Sequence, residues 1–319
     1  MALTVGILSS TTAANPYVQA FRDRLTALGW ADGANVDVVA KHADGNLALL
    51  DGLANDLLRE NPNVIMAGST PAIRAIRRAM GNSTPQIPIV MGITGDPRVA
   101  ADILNVNRPQ GNVTGMWDHV DLQQENQLAI LHDVIGGNAL RVGVLINNDN
   151  PGKRAEFRSL RAVKLRGVNL NFKRYNLTAD LATIGQQITD AFNDAKNAAA
   201  GNRQAMIVLG DPVLGLPAVA QVIRAQAAAA PPMITMYGAS EAAEGGGLMS
   251  YGPSHRKVME RAADYVDMIL RGASPGDLPL AQPMPAQLEL VVKLSTYNAM
   301  GLNFLTPQFI ANWQPRQVP

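Results

Sequence analysis

The chain has 319 residues, about twice the length of a typical domain, which predicts two lobes and excludes a single small module. Its 47% hydrophobic and 17% charged residues exclude a largely disordered protein. The formal net charge of +1 disfavours general affinity for nucleic acid or anionic lipid, and the absence of cysteine excludes disulfides, thiolate metal sites and cysteine nucleophiles.

The first half of the chain predicts strands that alternate with helices. An apolar run at 3–8 predicts a strand, and the apolar spacing from Tyr17 to Leu28 predicts a helix that ends at Gly29. The other elements predicted in this half are strands at 63–68 and 87–91 and helices at 47–59, 71–80 and 123–134. This alternation is typical of parallel sheets covered by helices.

The second half repeats the pattern. Strands predicted at 140–145, 205–210 and 231–235 start 137 to 144 residues after their counterparts at 3, 63 and 87. Helices are predicted from Phe157 to Leu165 and at 182–196 and 216–228. The repeat predicts an α/β fold of two doubly wound parallel-sheet lobes, one for each half.

A third segment departs from the simple duplication. It predicts a strand at 248–251, a helix at 256–270 that ends at Gly272, and a proline-rich connector at 275–285. A strand at 287–292, a short helix and an irregular tail follow. We therefore expect a three-segment hinge, with 1–115 plus 241–284 in the first lobe and 116–240 plus 285–319 in the second. The ligand cleft is expected between the lobes.

The sequence shows no apolar run near the ~20 residues that span a bilayer. The strand at 3–8 follows Met1 so closely that a signal peptide has no room. We therefore expect either a cytoplasmic protein or one whose leader is absent from this chain.

Small polar residues follow most of the predicted strands. In a doubly wound sheet, ligands bind beyond the carboxyl ends of the strands, where free backbone N–H groups and hydroxyls can hold an anionic group such as a carboxylate. Each of these residues is equally typical of a helix N-cap. The candidates of this kind are Ser9, Ser10, Ser69, Thr70, Thr94 and Asn147.

A zwitterionic ligand also needs a counter-charge for its ammonium group. The candidates are Asp96, Asp149, Asp211 and Glu241, although Asp96 and Asp211 lie in Gly-Asp-Pro, where aspartate also forms turns. Aromatic residues are scarce, at 5% of the chain. Four aromatic residues lie close to the candidate loops and are predicted to stack on a ligand, namely Tyr17, Trp117, Tyr237 and Tyr251.

Enzyme signatures are mostly missing. The sequence contains no phosphate-binding loop, no dinucleotide fingerprint after a strand and no nucleophile elbow. His119, Glu125 and His132 are six and seven residues apart, which scatters them around a helix instead of aligning them for a metal. We expect no catalytic residue, no metal and no cofactor.

Several runs resemble a known family. These runs are 68–72, 95–97, 111–115 and above all 244–254, which reads Glu-Gly-Gly-Gly-Leu-Met-Ser-Tyr-Gly-Pro-Ser. They resemble the ABC transporter substrate-binding family that includes the tryptophan-binding TrpX proteins, which have the type I periplasmic binding protein fold. The likeness extends from Val5 to about Leu302. The polar and acidic candidates above other than Asp149, together with Tyr237, occupy the matching positions.

The resemblance implies the solute-binding component of an ABC importer, periplasmic or lipid-anchored on the outer side of the membrane. Such a protein captures a small solute by hinge closure and delivers it to a permease driven by a separate ATPase. The expected solute is an amino acid, with aromatic and branched ones included, or a related small carboxylate. We also expect a monomer that binds no nucleic acid. Two alternatives stay open, a ligand sensor that signals to a receptor or regulator and a cofactor-free enzyme acting on a small metabolite.

Overall fold

The computed structural model describes residues 3–81, 86–117, 120–198 and 204–319. The chain divides into two compact units, each of which is discontinuous in sequence. Unit 1 comprises Met1–His119, Asn150–Gly152 and His255–Pro283, and unit 2 comprises Val120–Asp149, Lys153–Ser254 and Met284–Pro319. The α/β class and the doubly wound arrangement predicted from the sequence are confirmed.

Unit 1 is built on a five-stranded parallel sheet in the order β2-β1-β3-β4-β5. Its elements are β1 (Leu3–Ser9), α1 (Pro16–Ala27), β2 (Val36–His42), α2 (Leu50–Arg59), β3 (Val64–Ala67), α3 (Thr70–Met80), β4 (Ile89–Met91), α4 (Pro97–Ala101), β5 (Val113–Gly115) and α10 (His255–Leu270).

Helices cover both faces of this sheet. Leu57 and Ile73 belong to the apolar cluster on one face, formed with α2 and α3, and Phe21 and Val266 belong to the cluster on the other, formed with α1 and α10. Because both faces are buried, the central strands are apolar throughout. The central strand β3 is accordingly buried at all four positions.

Unit 2 contains a seven-stranded sheet in the order β12-β11-β10-β9-β8-β6-β7, in which only the β10–β11 pair is antiparallel. Its elements are α5 (Val120–Ile135), β6 (Ala139–Asn147), α6 (Pro151–Ala162), β7 (Asn169–Leu177), α7 (Ile184–Ala198), β8 (Gln204–Val208), α8 (Pro217–Ala228), β9 (Ile234–Tyr237), α9 (Ser240–Glu244), β10 (Met249–Gly252), β11 (Glu289–Lys293), α11 (Leu294–Ala299), α12 (Pro307–Trp313) and β12 (Arg316–Val318).

The division of the chain differs from the expected one at residues 241–254. The sequence predicts this stretch in the first lobe, but β10 pairs with β9 on one side and β11 on the other, which places it in unit 2. Met249 is fully buried in that sheet. The chain passes from one unit to the other after His119, Asp149, Gly152, Ser254 and Pro283.

Some elements were not foreseen. The predicted irregular tail contains α12 and β12. The strands β2, β7 and β12, which flank the sheets, carry polar residues on their partly exposed faces, so their apolar pattern is weak. Within the described parts of the chain, no helix combines the length and the apolar character needed to cross a bilayer.

Candidate functional site

The carboxyl ends of β1, β3 and β4 bring five of the predicted polar residues to one edge of the unit 1 sheet. Ser9 ends β1 and Ser10 follows it, while Ser69 and Thr70 begin α3 directly after β3. Thr94 follows β4. All five residues are at least nine-tenths buried. The parallel order of the strands places residues from distant parts of the sequence side by side.

The hydroxyls at this edge form pairs. Ser10 Oγ lies 2.6 Å from Ser69 Oγ, and Thr70 Oγ1 lies 2.7 Å from Thr94 Oγ1. One hydroxyl proton suffices to make each of these bonds, and each pair contains two protons. The second proton of each pair can therefore be donated to another acceptor. This edge is chemically suited to an anionic or carbonyl oxygen.

The start of α3 strengthens the same preference in unit 1. Ser69 caps α3 and accepts a hydrogen bond from the Ala72 backbone N–H, and the positive end of the α3 dipole lies at this edge. Asp96 caps α4 by accepting from the Arg98 N–H. Its carboxylate also receives the Arg98 guanidinium at 2.8 to 3.1 Å, so the negative charge of Asp96 is balanced locally.

The aromatic candidates of unit 1 have packing roles. Tyr17 lies in the first turn of α1, and its ring packs edge-on against the His255 ring, with the two ring centroids 5.6 Å apart. Trp117 is half-buried against the α2–α3 side of the core, and its backbone N–H donates to the Ala281 carbonyl oxygen. Their role in stacking on a ligand stays a prediction.

In unit 2, the structure brings Asn147 and Asp211 together. Asn147 ends β6 and is fully buried, and its Nδ2 donates to Asp211 Oδ1 at 3.1 Å. The same oxygen accepts the backbone N–H groups of Val213 and Leu214. A buried carboxylate is thus held in place by three donors after β8. It puts a negative charge at the carboxyl edge of this sheet.

Two other candidates in unit 2 are Glu241, which has a hydrogen-bond partner, and Tyr237, whose ring is closely packed. Glu241, in the first turn of α9, accepts a hydrogen bond from Ser254 Oγ at 2.6 Å. The Tyr237 ring packs so closely on Gly247 that a Cβ there would lie 2.6 Å from it. Burial raises the pKa of Tyr237 to about 12. Its hydroxyl makes no hydrogen bond of normal geometry to any residue that the structure describes.

Sequence reasoning missed three amides on α5, of which Gln123 and Gln127 are buried and Asn126 is half-buried. Gln123 Nε2 donates to the carbonyl oxygens of Gly238, at 2.6 Å, and Tyr251, at 3.0 Å. Gln127 Nε2 donates to those of Tyr237 and Tyr251, and Asn126 donates to the Tyr251 hydroxyl. These amides attach α5 to the ends of β9 and β10. The spacing of Gln123, Asn126 and Gln127 could have indicated this role, because positions i, i+3 and i+4 lie on one face of a helix.

His42 was also overlooked as a neighbour of the unit 1 edge. It ends β2 and is in register with Ser9 of β1. Burial, reinforced by the charge of Arg22, lowers the pKa of His42, while Asp44 and the Thr11 backbone partly oppose that effect. Its Nδ1 is buried without a hydrogen-bond partner among the described residues.

No group of three histidine or acidic side chains suitable for a metal occurs among the residues that the structure describes. His119, from the sequence-derived metal candidate, lies outside the described residues. The arrangement supports binding of a polar solute through hydroxyls and a carboxylate. The location of the ligand cleft between the lobes stays a prediction.

The chain matches a family model described as ABC transporter substrate binding protein over residues 4–305. It is 22% identical over 292 residues to a protein from Clostridioides difficile named tyrosine-binding protein. The matched region covers 91% of this chain and 76% of the relative.

Solved structures show the same fold. A conserved domain protein from Vibrio cholerae is similar with a TM-score of 0.81 and 22% identity, covering 99% of this chain and all of that one. An ABC domain from Streptococcus pneumonia in complex with L-Trp is similar with a TM-score of 0.79 and 18% identity, covering both chains completely.

Proposed function

The chain belongs to the ABC transporter substrate binding protein family, and from that membership we propose that it captures an amino acid with an aromatic side chain for import. The single observation that carries the proposal is the set of paired, buried hydroxyls of Ser10, Ser69, Thr70 and Thr94 at one sheet edge. Buried hydroxyls cost free energy unless they are satisfied, and a bound carboxylate would use their remaining protons.

The ligand's carboxylate is assigned to this hydroxyl edge of unit 1. The start of α3 contributes a positive dipole there. Asp96, the acidic candidate nearby, is already balanced by Arg98, which reduces its repulsion of an anion. A carboxylate is therefore better suited to this edge than an ammonium group.

The ligand's ammonium group is assigned to Asp211. Its carboxylate is buried and held by Asn147 and by two backbone N–H groups. Such preorganisation means that little conformational entropy is lost when a cation binds. A partly desolvated ion pair also selects against solutes that lack the positive charge.

The choice of an aromatic amino acid rests on relatives. One is named tyrosine-binding protein, and another was solved in complex with L-Trp. Tyr17, Trp117 and Tyr237 are the aromatic residues assigned to the ligand's side chain. Stacked aromatic pairs contribute about 0.5–1.5 kcal/mol beyond the burial of their area.

The protein is further proposed to bind its solute without chemical turnover. Binding favours a closed form of the two units, and a membrane permease with its ATPase recognises that form. We place the protein outside the cytoplasm, as a monomer that binds no nucleic acid. Incubation with the ligand followed by mass spectrometry should recover the ligand unchanged.

The test is calorimetric titration with L-tyrosine, L-tryptophan, L-phenylalanine and L-leucine. At least one aromatic amino acid should bind with a Kd of about 1 μM or below, equivalent to roughly 8 kcal/mol. For a tyrosine ligand, tyramine lacks the carboxylate and 3-(4-hydroxyphenyl)propionate lacks the ammonium group. Both analogues should bind at least about tenfold more weakly. If none of the three aromatic amino acids binds, the assignment is wrong.

The variant Asp211→Asn tests the counter-charge directly. It should weaken the amino acid strongly and the propionate analogue little, so that the protein loses its preference between the two. An equal loss for both would mean that Asp211 only supports the loop. Asp190→Asn on α7, where Asp190 accepts from Gln186 at the surface, is the matched control and should leave both affinities unchanged.

A further inference from the structure

The near-neutral net charge conceals an uneven distribution. Residues 151–174 contain eight lysines and arginines and one glutamate, a local net charge of +7. Since the whole chain has a net charge of +1, the remaining 295 residues together have a net charge of −6. The concentration of positive charge falls on α6, the connection after it and the first part of β7.

Five of these cations form one surface of unit 2, which we call the basic surface. Arg158 and Arg161 are three positions apart on α6 and so share a face of the helix. Lys164 and Arg166 follow in the connection, and Arg174 lies on β7. All five are exposed.

The ring of Phe157 connects the helix and the strand within this surface. The Arg161 and Arg174 guanidinium carbons lie over it, at 6.0 and 5.4 Å from the ring centroid. Two cations from different elements are thus held close together on one aromatic ring.

Acidic side chains do not neutralise the basic surface. The neighbouring Lys153 and Lys173 are paired with Glu156 and Asp194, both at 2.6 Å. No salt bridge joins any of the five cations to an acidic side chain in the part of the chain that the structure describes. Uncompensated like charges repel one another, and an anionic partner would remove that repulsion.

A cavity of about 320 Å³ opens at the same place, between the end of α6 and the start of β7. Arg161, Lys164 and Asn171 supply its polar lining, and Val163, Leu170 and Phe172 its apolar lining. It lies near the amino ends of β6 and β7, whereas Asn147 lies at their carboxyl ends. The cavity is therefore remote from the candidate ligand residues of unit 2.

We propose that the basic surface binds the phosphate groups of an anionic phospholipid membrane. The large apolar side chains that the structure shows as exposed are Leu49, Leu104, Leu181, Met284 and Ile310, and all lie outside 151–174. A protein partner usually requires such an apolar or aromatic anchor, whereas electrostatic adsorption to lipid does not. The inference rests on the proposed function, because a permease partner places the chain at a membrane.

The experiment is sedimentation of the full chain with vesicles made of phosphatidylglycerol and phosphatidylcholine, and with vesicles of phosphatidylcholine alone. We expect binding to the anionic vesicles only, and loss of that binding when salt rises from about 0.05 to about 0.5 M, because the screening length then falls below 10 Å. Each cation near such a surface raises partitioning roughly fivefold. The variant R158Q/R161Q/K164Q/R166Q removes four such cations and should therefore bind at least about a hundredfold more weakly.

The matched control is R59Q/R77Q/R78Q/R108Q, which removes the same number of positive charges from unit 1. Its binding to anionic vesicles should fall by no more than about twofold beyond the loss that the lower net charge alone causes. An equal loss in both variants would overturn the inference, as would equal binding of the natural chain to neutral vesicles. If low millimolar inorganic phosphate displaces the protein from anionic vesicles at constant ionic strength, the surface is a site for a free anion instead.

Two further outcomes would also overturn it. Binding to neutral vesicles only when they contain the permease would assign the surface to a protein partner. Self-association of the quadruple variant, without vesicle binding by the natural chain, would mean that the cations protect the edge strand β7 from pairing. Amino-acid affinity measured on the same samples separates this inference from the proposed function, since the variant should bind the amino acid normally.

Discussion

Gly252 approaches Gly238 so closely that a Cβ at position 252 would lie 1.9 Å from the Gly238 carbonyl oxygen. The same Cβ would lie 2.5 Å from Gln123 Nε2, which donates to that carbonyl. Only glycine leaves room for this contact between the ends of β9 and β10. The relationship explains the glycine that follows Tyr251 in the most distinctive run of the sequence.

Gly252→Ala should therefore destabilise the protein. The methyl group would force apart two backbone segments and break the hydrogen bond from Gln123, so we expect a loss of about 1–3 kcal/mol in the free energy of unfolding. Urea unfolding measures this. Gly185→Ala is the matched control, because a Cβ at Gly185 meets nothing within 4 Å, and it should leave stability unchanged or raise it by up to about 1 kcal/mol.

Gln123→Leu should cost about 1–3 kcal/mol of stability, because the carbonyl oxygens of Gly238 and Tyr251 lose a buried donor. Gln186→Leu, which removes a bond to Asp190 at the surface of α7, should change stability by less than about 0.5 kcal/mol. Equal effects of the two substitutions would contradict the role of Gln123.

Gln123→Glu should make the free energy of unfolding depend on pH. A carboxylate facing two carbonyl oxygens is repelled and desolvated, so its pKa in the folded state rises above the unfolded value of about 4.3. The protonated acid is then favoured by folding. The variant should be less stable than Gln123→Leu at about pH 7 and should approach it as the pH falls towards about 4. Unfolding curves that keep a constant difference across this range would refute the prediction.

Thr70→Val should weaken the amino-acid ligand about tenfold to a hundredfold, because a hydrogen bond to a charged group contributes about 1.5–3 kcal/mol. Calorimetry should show little change for tyramine, which lacks the carboxylate. Thr114→Val is the control, since it removes a buried hydroxyl that donates to the Leu278 carbonyl oxygen in the same unit. It should lower stability without changing affinity. Weakening of tyramine to the same extent would exclude a carboxylate contact.

His42 should titrate below the ordinary histidine pKa of 6.5, because burial disfavours its charged form. A lowered folded pKa means that the unfolded chain binds more protons, so stability is highest above about pH 6.5 and falls as the pH drops below it. His42→Gln should lack this contribution. NMR titration of the His42 ring, assigned with that variant, measures the pKa, and a value at or above 6.5 would be incompatible with the burial argument.

Local patterns allowed much of the fold to be predicted. Apolar runs such as 63–68 predicted the central strands, because a strand buried on both faces must be apolar along its length. The same argument fails for β2 and β7, which are partly exposed and carry polar residues among the apolar ones. It also failed for 241–254, because an apolar strand does not indicate which sheet it will join.

The candidate site was predictable only as a set of residue types. Loops after strands pointed to Ser10, Ser69, Thr70 and Thr94, since parallel topology places such loops at one edge. That these hydroxyls pair, that Arg98 balances Asp96, and that Asn147 orients Asp211 could not be read from spacing. Apart from the local Asp96–Arg98 pair, these contacts join residues from different loops.

The sequence by itself determined the α/β class, the internal repeat and the family, because these depend on apolar periodicity and on short runs of residues that are local in the chain. The tertiary structure alone decided which side chains meet. The amides of α5 reach carbonyls more than 100 residues away, and the five cations of the basic surface gather where α6 packs beside β7. Hydrogen bonds and charges act through space over a few ångströms, so only the folded chain determines these partners.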